Sequence, residues 1–298
     1  MPASSTATHA SALTSPTSSL DGLGLFSAKP ASLRFLPAPA LRLRASNNAP
    51  AAAIHPALVS ADTAWSALPP GLPIRNTTLA LPAPGTPTRY AATVEHALSA
   101  CAGLHLWGVT LALDGGPELP ILDGSALPFV HALRPHLAPA PAAVSPITLS
   151  EPLEVRAGDA FIRAEPCDSI DYTYSLDYGP ASPLPPQRAA WRGDPDDYAA
   201  NIAPARTFSL RAEAHAARAA GLFTHLSPRD MLVIADNGSP IDNAWRLPHE
   251  PARHKLLDLI GDLALLGRPL HARVLAHRAG HALTHRLCAL VLAKSRAE

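Results

Sequence analysis

The chain has 298 residues, in which 24 lysines and arginines balance 24 aspartates and glutamates, so no net field attracts nucleic acid or an anionic membrane surface. Apolar residues make up 47% of the chain and aromatic residues only 5%, and no apolar run reaches bilayer-spanning length. Cys101, Cys167 and Cys288 are widely spaced and odd in number, which argues against a disulfide framework and a cysteine-built zinc site. We expect a reducing compartment, no integral membrane segment and no nucleic-acid partner.

The N-terminus does not resemble a secretory signal. Its first twenty residues are rich in Ser, Thr and Ala but contain no Lys or Arg and no continuous apolar core. We therefore predict a disordered tail over residues 1–12 and a cytoplasmic protein. An organellar transit peptide is the alternative, although such peptides normally carry arginine and the first one here is Arg34.

The first part of the chain predicts strands and short helices. Residues 20–43 have the short apolar runs and turn residues of several strands, whereas residues 44–75 follow no clear pattern. Thr93 is predicted to cap a helix that extends to Ala102, with Gly103 as its left-handed end. The further predicted elements are a strand over 107–113, a loop over 114–117, an extended segment over 119–123 and a short helix over 129–134.

Residues 137–146 alternate proline and alanine, which favours extended, unpaired backbone. We place a linker there, between a first domain over 13–136 and a second over 147–298. The second domain is predicted to contain strands over 147–154, 161–164, 170–176, 231–235 and 272–277, a polar excursion over 180–197, and helices over 211–220, 251–266 and 280–294. Because helices and strands do not alternate strictly, the predicted class is α+β.

The predicted helix over 251–266 carries His254, Asp258 and Asp262 at i, i+4 and i+8, along one stripe. Imidazole and carboxylate are good zinc ligands, and a catalytic zinc takes three protein groups and leaves one position for water. A solvated helix face with an ordinary histidine–aspartate pair is the alternative interpretation of this stripe.

A third ligand has to come from elsewhere in the chain. His96 is the candidate, because it follows Glu95 at a helix start, where a neighbouring carboxylate could reach a water on the same metal. His281 follows Gly280, and His285 lies one turn further on, so a His281/His285 metal pair is a competing geometry. Either His96 or His281 could instead be a partly buried histidine with a local hydrogen bond.

Several motifs, in order over residues 13–292, resemble the zinc-dependent UDP-3-O-acyl-N-acetylglucosamine deacetylases of bacterial lipid A biosynthesis. Each motif alone is weak, but their order and separation together are specific. They are Leu23-Gly24-Leu25, Thr93-Val94-Glu95-His96, Glu118-Leu119-Pro120-Ile121-Leu122-Asp123-Gly124-Ser125, Ala205-Arg206-Thr207-Phe208, Arg253-His254-Lys255 with Asp258 and Ile260-Gly261-Asp262-Leu263, and Gly280-His281-Ala282-Leu283.

The resemblance implies an enzyme that removes acetate from the N-acetyl group of the nucleotide sugar. His96, His254 and Asp258 match the family's Zn²⁺ ligands. Glu95 matches its general base, and His281 matches the charged histidine that stabilises the oxyanion and protonates the leaving amine.

The resemblance also implies roles for five further residues. Asp262 matches the carboxylate that orients this histidine, and Thr207 the hydroxyl that helps to hold the tetrahedral oxygen. Phe208 and Lys255 match positions that contact the nucleotide sugar, and Leu79 is a looser match to a position near the substrate. The implied fold is two similar two-layer α/β sandwich domains with the site between them, and we expect a monomer.

The chain also departs from the family's usual sequence. Phe26 replaces a usual histidine, residues 223–226 replace a usual Gly-Gly segment, and Thr284 and His285 stand for Asn-Asn. Two alternatives to the deacetylase remain, of which the departures at Phe26 and residues 223–226 motivate the first. One is a catalytically silent relative that binds a nucleotide sugar or an acyl group, and the other is a zinc hydrolase that acts on a different amide.

Overall fold

The computed structural model describes residues 10–46, 49–61, 75–83, 86–140 and 144–295. Within these ranges the α-helices are α1 (Glu95–Gly103), α2 (Leu127–Leu133), α3 (Pro195–Asp197), α4 (Arg211–Ala219), α5 (Glu250–Leu263) and α6 (His281–Ser295). Short 3-10 turns cover Pro56–Leu58, Arg134–His136 and Ala264–Leu266, and a π-turn covers Tyr198–Ile202.

The strands of the N-terminal half, residues 10–140, are β1 (Ser11–Leu13), β2 (Leu20–Leu23), β3 (Pro30–Pro37), β4 (Arg42–Ala45), β5 (Ala52–Ala53), β6 (Thr78–Ala83), β7 (Thr86–Ala92), β8 (Leu106–Gly115) and β9 (Leu137–Pro139). Seven of them form a mixed sheet in the order β2-β3-β8-β1-β9, with β4 also paired to β8 and β5 to β4. The remaining two, β6 and β7, form an antiparallel hairpin.

The C-terminal half, residues 144–295, contains β10 (Ile147–Thr148), β11 (Leu153–Ala157), β12 (Ala160–Pro166), β13 (Ile170–Leu176), β14 (Gln187–Trp191), β15 (Phe208–Leu210), β16 (Leu232–Ile234) and β17 (Leu270–His277). Its main sheet has the order β11-β12-β17-β13-β14, with β10 added beside β17. The strands β15 and β16 pair in parallel on either side of α4.

The layers confirm the predicted α+β class. Helix α1 packs on β8, α5 packs on β13 and β14, and α6 packs on β11 and β12. The burial pattern of β17 alternates strictly, so one face of the strand faces the helices. The buried apolar side chains form one continuous cluster that includes residues of both halves.

The boundaries of the predicted domains rest on segments that the structure describes only in part. Residues 1–9 and 141–143 lie outside the described residues. Ser11 and Ala12, assigned to the tail, pair with β8 and β9, and Leu137–Pro139, assigned to the linker, is β9 itself. Both segments are therefore paired with the first sheet through their backbone. The division into two domains stays a prediction.

Three local predictions were wrong. Thr93 does not cap α1, because it has a left-handed φ of 56° and its hydroxyl donates to Glu118 instead, so that Val94 precedes the helix without a side-chain cap. Gly103 is the last residue of α1, and the left-handed residue after the helix is His105. The excursion over 180–197 contains β14, which pairs with all but the first residues of β13.

Helices α1 and α5 bring the two halves together. A Cβ atom added at Gly261 would lie 2.0 Å from the carbonyl oxygen of Glu95, so only glycine allows this approach. At Gly103, the other end of α1, an added Cβ atom would lie 2.3 Å from the ring of Tyr198. The first turn of α1 is thereby held against the last turn of α5, where the predicted stripe ends at Asp262.

Candidate metal centre and active site

The predicted metal ligands from α1 and α5 converge. Nε2 of His96 lies 3.6 Å from Oδ1 of Asp258, and Nε2 of His254 lies 3.4 Å from the same oxygen. The two imidazole rings are 5.1 Å apart and nearly perpendicular, at 86°. One ligand atom from each of the three buried residues lies within 4.8 Å of the other two, so one ion could touch all three.

A backbone contact sets the orientation of His254. Its Nδ1 lies 3.1 Å from the carbonyl oxygen of Ala205, which requires a hydrogen on Nδ1 and leaves the Nε2 lone pair facing the cluster. Burial lowers the pKa of His254 to about 3, despite the nearby Asp258. The ring is therefore neutral at pH 7, the state in which imidazole binds metal.

Asp258 stays ionised among these imidazoles. Burial alone would raise its pKa, but the His254 ring and the Lys255 ammonium hold the pKa of Asp258 well below its usual range. Nζ of Lys255 donates to Oδ2 at 2.8 Å and leaves Oδ1 toward the two histidines. Two imidazole nitrogens and one carboxylate oxygen, with an outer hydrogen bond that orients one ring, are a donor set that fits zinc.

Glu95 lies beside these ligands and is only 3% exposed. The backbone N–H of Thr77 donates to its Oε2 at 3.0 Å. Burial raises the pKa of Glu95 above its ordinary value, although His281 and His96 act in the opposite direction. A carboxylate with a raised pKa and one oxygen not used by Thr77 is suited to accept a proton.

His281, at the first position of α6, faces α5. Its Nδ1 donates to Oδ2 of Asp262 at 2.8 Å, and its Nε2 lies 4.0 Å from Oδ2 of Asp258. Burial alone would lower the pKa of His281, but the Asp262 carboxylate outweighs it and raises the pKa to about 9. The ring is therefore a cation at neutral pH, with its Nε2–H on the side of Asp258.

The competing ligand pair also has a third partner, because Asp262, His281 and His285 place ligand atoms within 4.8 Å of one another. These atoms are already engaged with each other and with the hydroxyl of Thr77. The hydroxyl donates to Oδ1 of Asp262, and Nδ1 of His281 donates to Oδ2. The arrangement is that of a hydrogen-bonded carboxylate rather than an open ligand set.

The other predicted site residues surround the cluster at different depths. The ring of Phe208 lies 6.3 Å from that of His254, and Nζ of Lys255 lies 6.0 Å from the centre of the Phe208 ring. Thr207 is held by its backbone N–H, which donates to the carbonyl of Gly124 at 2.8 Å. Leu79 is completely buried in the hydrophobic core, so its side chain has no surface open to a substrate.

Sequence reasoning missed several residues that support the site. Glu118 is fully buried and accepts hydrogen bonds from the backbone N–H groups of Phe26 and Ser27 and from Thr93. Arg206 forms a buried ion pair with Glu250, the first residue of α5, in which Nε and Oε1 are 2.8 Å apart. Glu118 and Arg206 lie within the quoted motifs, and Glu250 lies three residues before Arg253. A polar residue at an expected core position was the signal that could have identified them.

The comparison with known proteins agrees with this geometry. A model of the family described as UDP-3-O-acyl N-acetylglycosamine deacetylase matches residues 12–293. The chain belongs to this family. Within the described ranges, no helix combines the length and hydrophobicity that a membrane span requires.

Individual relatives support the same membership. A protein of Synechocystis is 38% identical over 204 residues, which cover 67% of this chain and 72% of the relative. A protein of Thermosynechococcus vestitus is 38% identical over 68% of this chain and 70% of its own length. A protein of Anaeromyxobacter dehalogenans is 33% identical over 92% of this chain and 85% of its own length. All three are named UDP-3-O-acyl-N-acetylglucosamine deacetylase.

Proposed function

We propose that this protein hydrolyses the N-acetyl group of UDP-3-O-acyl-N-acetylglucosamine in lipid A biosynthesis, releasing acetate and the free amine. The observation that carries the proposal is the convergence of α1 and α5. It places the His96–His254–Asp258 cluster beside a buried base, Glu95, and a cationic acid, His281. Membership of the family supports this substrate.

We propose His96, His254 and Asp258 as the ligands of a zinc ion. Bound there, zinc supplies a Lewis acid that activates water and polarises the amide carbonyl. The chain prepares this site without the ion, since the carbonyl of Ala205 orients His254 and the ammonium of Lys255 occupies the second oxygen of Asp258.

Glu95 acts as general base. Its Oε2 is fixed by the N–H of Thr77, so Oε1 is the oxygen that takes the proton from the attacking water. Because burial raises the pKa of this carboxyl, it holds that proton more readily than an exposed glutamate and returns it later in the cycle.

His281 stabilises negative charge on the amide oxygen and protonates the leaving amine from Nε2. Its Nδ1–H is donated to Asp262, which fixes the ring and favours the cation that this role needs. Thr207 is the proposed hydroxyl donor to the same oxygen. Lys255 and Phe208 lie side by side at the edge of the cluster and are the proposed contacts to the nucleotide sugar. Leu79 is not a proposed substrate contact, because its side chain is buried in the core.

We assign the reaction to the bacterial cytoplasm, since a charged nucleotide sugar does not cross a bilayer unaided. The test is zinc analysis together with a deacetylation assay that follows acetate release from the acylated nucleotide sugar. One zinc per chain with turnover supports the proposal. Bound zinc without acetate release from this substrate contradicts it.

A second candidate, zinc-dependent hydrolysis of a different amide, is favoured by one contact. Phe26 and Phe223, which stand where the family usually has histidine and the Gly-Gly segment, meet with ring centres 5.4 Å apart. The sequence departures from both halves thus form one aromatic pair. Assays over a series of 3-O-acyl lengths, and on the sugar without an acyl chain, distinguish the two candidates.

A further inference from the structure

We propose that His285 and Thr77 are positioning residues, which together hold the Asp262 carboxylate in the orientation that His281 uses. The inference rests on the proposed function for the role of His281, but the contacts themselves belong to the structure. His285 stands where the family usually has asparagine, so its imidazole is not part of the usual catalytic set.

The two oxygens of Asp262 have different partners. Oδ2 accepts Nδ1–H of His281 at 2.8 Å, and Oδ1 accepts the hydroxyl of Thr77. Nε2 of His285 lies 2.9 Å from the Thr77 hydroxyl oxygen and 3.5 Å from Oδ1. Since Asp262 is only 1% exposed, its charge depends on these donors and not on bulk water.

Hydrogen counting gives the direction of these bonds. The Thr77 hydroxyl has one hydrogen, which it donates to the Asp262 carboxylate, an acceptor only. The same hydroxyl oxygen must therefore accept from His285, whose Nε2 carries a hydrogen. The result is that two donors converge on Asp262: the Thr77 hydroxyl, itself polarised by the N–H of His285, and the Nδ1–H of His281.

Thr77 also links this arrangement to the base. Its backbone N–H donates to Oε2 of Glu95 at 3.0 Å, while its hydroxyl donates to Oδ1 of Asp262. One residue of the N-terminal half thus contacts both the carboxylate of the base and the carboxylate that orients the acid. His285, on α6, limits the rotation of the Thr77 hydroxyl and so keeps its hydrogen directed at Asp262.

Without the hydrogen bonds from Thr77 and His285, we expect the Asp262 carboxylate to rotate and its hydrogen bond with His281 to lengthen. Removing such an outer partner lowers activity by about 10- to 100-fold. We expect this loss in kcat and not in KM, because neither Thr77 nor His285 is among the proposed substrate contacts. Zinc content is expected to stay at the wild-type level.

The experiment compares His285→Ala with His285→Gln, and Thr77→Val with Thr77→Ser. Glutamine offers an amide N–H at about the reach of the imidazole Nε2, and serine keeps the hydroxyl, so both conservative variants should recover most of kcat. Valine keeps the backbone N–H to Glu95 and removes only the hydroxyl. His277→Ala, at the last position of β17 where the ring packs on Phe161, is the control.

A second readout does not depend on turnover. In the zinc-free protein, the Nδ1 proton of His281 is expected as a downfield NMR signal, owing to its bond to Asp262. It should shift or broaden in His285→Ala and Thr77→Val and stay unchanged in His277→Ala. If wild type lacks deacetylase turnover, the proposed function fails, while this signal still tests the positioning role.

Three results would overturn the inference. The first is an unchanged kcat and an unchanged His281 signal in His285→Ala. The second is loss of zinc in that variant, which would make His285 a metal ligand. The third is an equal defect in His285→Gln and His285→Ala, because hydrogen-bond donation would then not be what His285 contributes.

Discussion

Asp258 and Asp262 lie one turn apart on α5, and the histidines beside them, His254 and His281, have pKa values shifted in opposite directions. Around Asp258, the buried His254 has a pKa lowered to about 3, whereas beside Asp262 the pKa of His281 is raised to about 9. The residue types are the same. The neighbours differ, because Asp258 shares its charge with the ammonium of Lys255 and two rings, and Asp262 is paired mainly with His281.

Helix α5 supplies two of the three proposed metal ligands, His254 and Asp258, and the carboxylate of Asp262 that pairs with the proposed acid on α6. A neutral imidazole is a ligand, and a cationic imidazole is a proton donor and a charge stabiliser. Burial is the main cause of the neutral state of His254, whereas at His281 the charge of Asp262 outweighs burial. Lys255 adds to the effect at His254, since it satisfies one oxygen of Asp258 and adds positive charge near the ring. The i, i+4 spacing of His254, Asp258 and Asp262 thus places residues of two proposed roles on one helix.

The largest expected effect comes from breaking the His96–His254–Asp258 cluster. His254→Ala should reduce bound zinc from about one per chain to near zero and abolish turnover, because two protein ligands do not replace three. Zinc analysis by mass spectrometry and the acetate assay measure both quantities. His131→Ala, at an exposed position of α2, is the control. Retained zinc in His254→Ala would remove this residue from the ligand set.

Glu95→Gln tests the base without disturbing the metal. Glutamine can still accept the N–H of Thr77 but cannot take a proton, so kcat should fall by about 10²–10⁴-fold with zinc unchanged. Glu154→Gln, on β11, controls for the loss of one carboxylate. Equal turnover in Glu95→Gln and wild type would exclude Glu95 as the base.

His281→Ala breaks only the pair of His281 and Asp262. The rate should fall by about 10²–10³-fold, the usual cost of losing a donor to a developing oxyanion. Zinc should stay near one per chain, since the ring is engaged with Asp262 instead of the ion. Loss of zinc in this variant would instead support the competing set of Asp262, His281 and His285.

Asp262→Asn sharpens the contrast in pKa. Without the carboxylate, the favourable charge that raises the pKa of His281 is lost and burial lowers it, so the midpoint in the zinc-free protein should move down from about 9. A raised pKa keeps the ring protonated below that midpoint. The high-pH decline of kcat should therefore begin at lower pH in the variant. NMR titration and a pH–rate profile measure the two shifts, and an unmoved midpoint would contradict the assigned cause.

Lys255→Met is expected to give the smallest change. The ammonium lowers the pKa of His254, so its removal should raise that pKa from about 3. This increase in the pKa of His254 should be smaller than the decrease in the pKa of His281 in Asp262→Asn, because burial is the main cause of the low pKa of His254. NMR titration of the zinc-free protein measures it. A His254 ring that becomes charged at pH 7 would show that Lys255, not burial, keeps it neutral.

Local sequence determined the elements that depend on short-range patterns. The spacing of His254, Asp258 and Asp262 predicted one helical stripe, and α5 carries it. Gly267, with a φ of 75°, ends the following turn as predicted. The predicted strand over 170–176 is β13 itself. These features follow from helix periodicity, left-handed glycine and β-branched or aromatic residues, which act within a few residues of the chain.

Only the tertiary structure decided what the individual side chains do. Thr93 has the residue type of a helix cap, but a fully buried carboxylate, Glu118, lies close enough to take its hydroxyl. Leu79 is a core residue, and Thr77, for which the sequence predicted no role, contacts the carboxylates of both Glu95 and Asp262. The opposite pKa shifts of His254 and His281 arise because burial and neighbouring charge depend on packing between segments far apart in the chain.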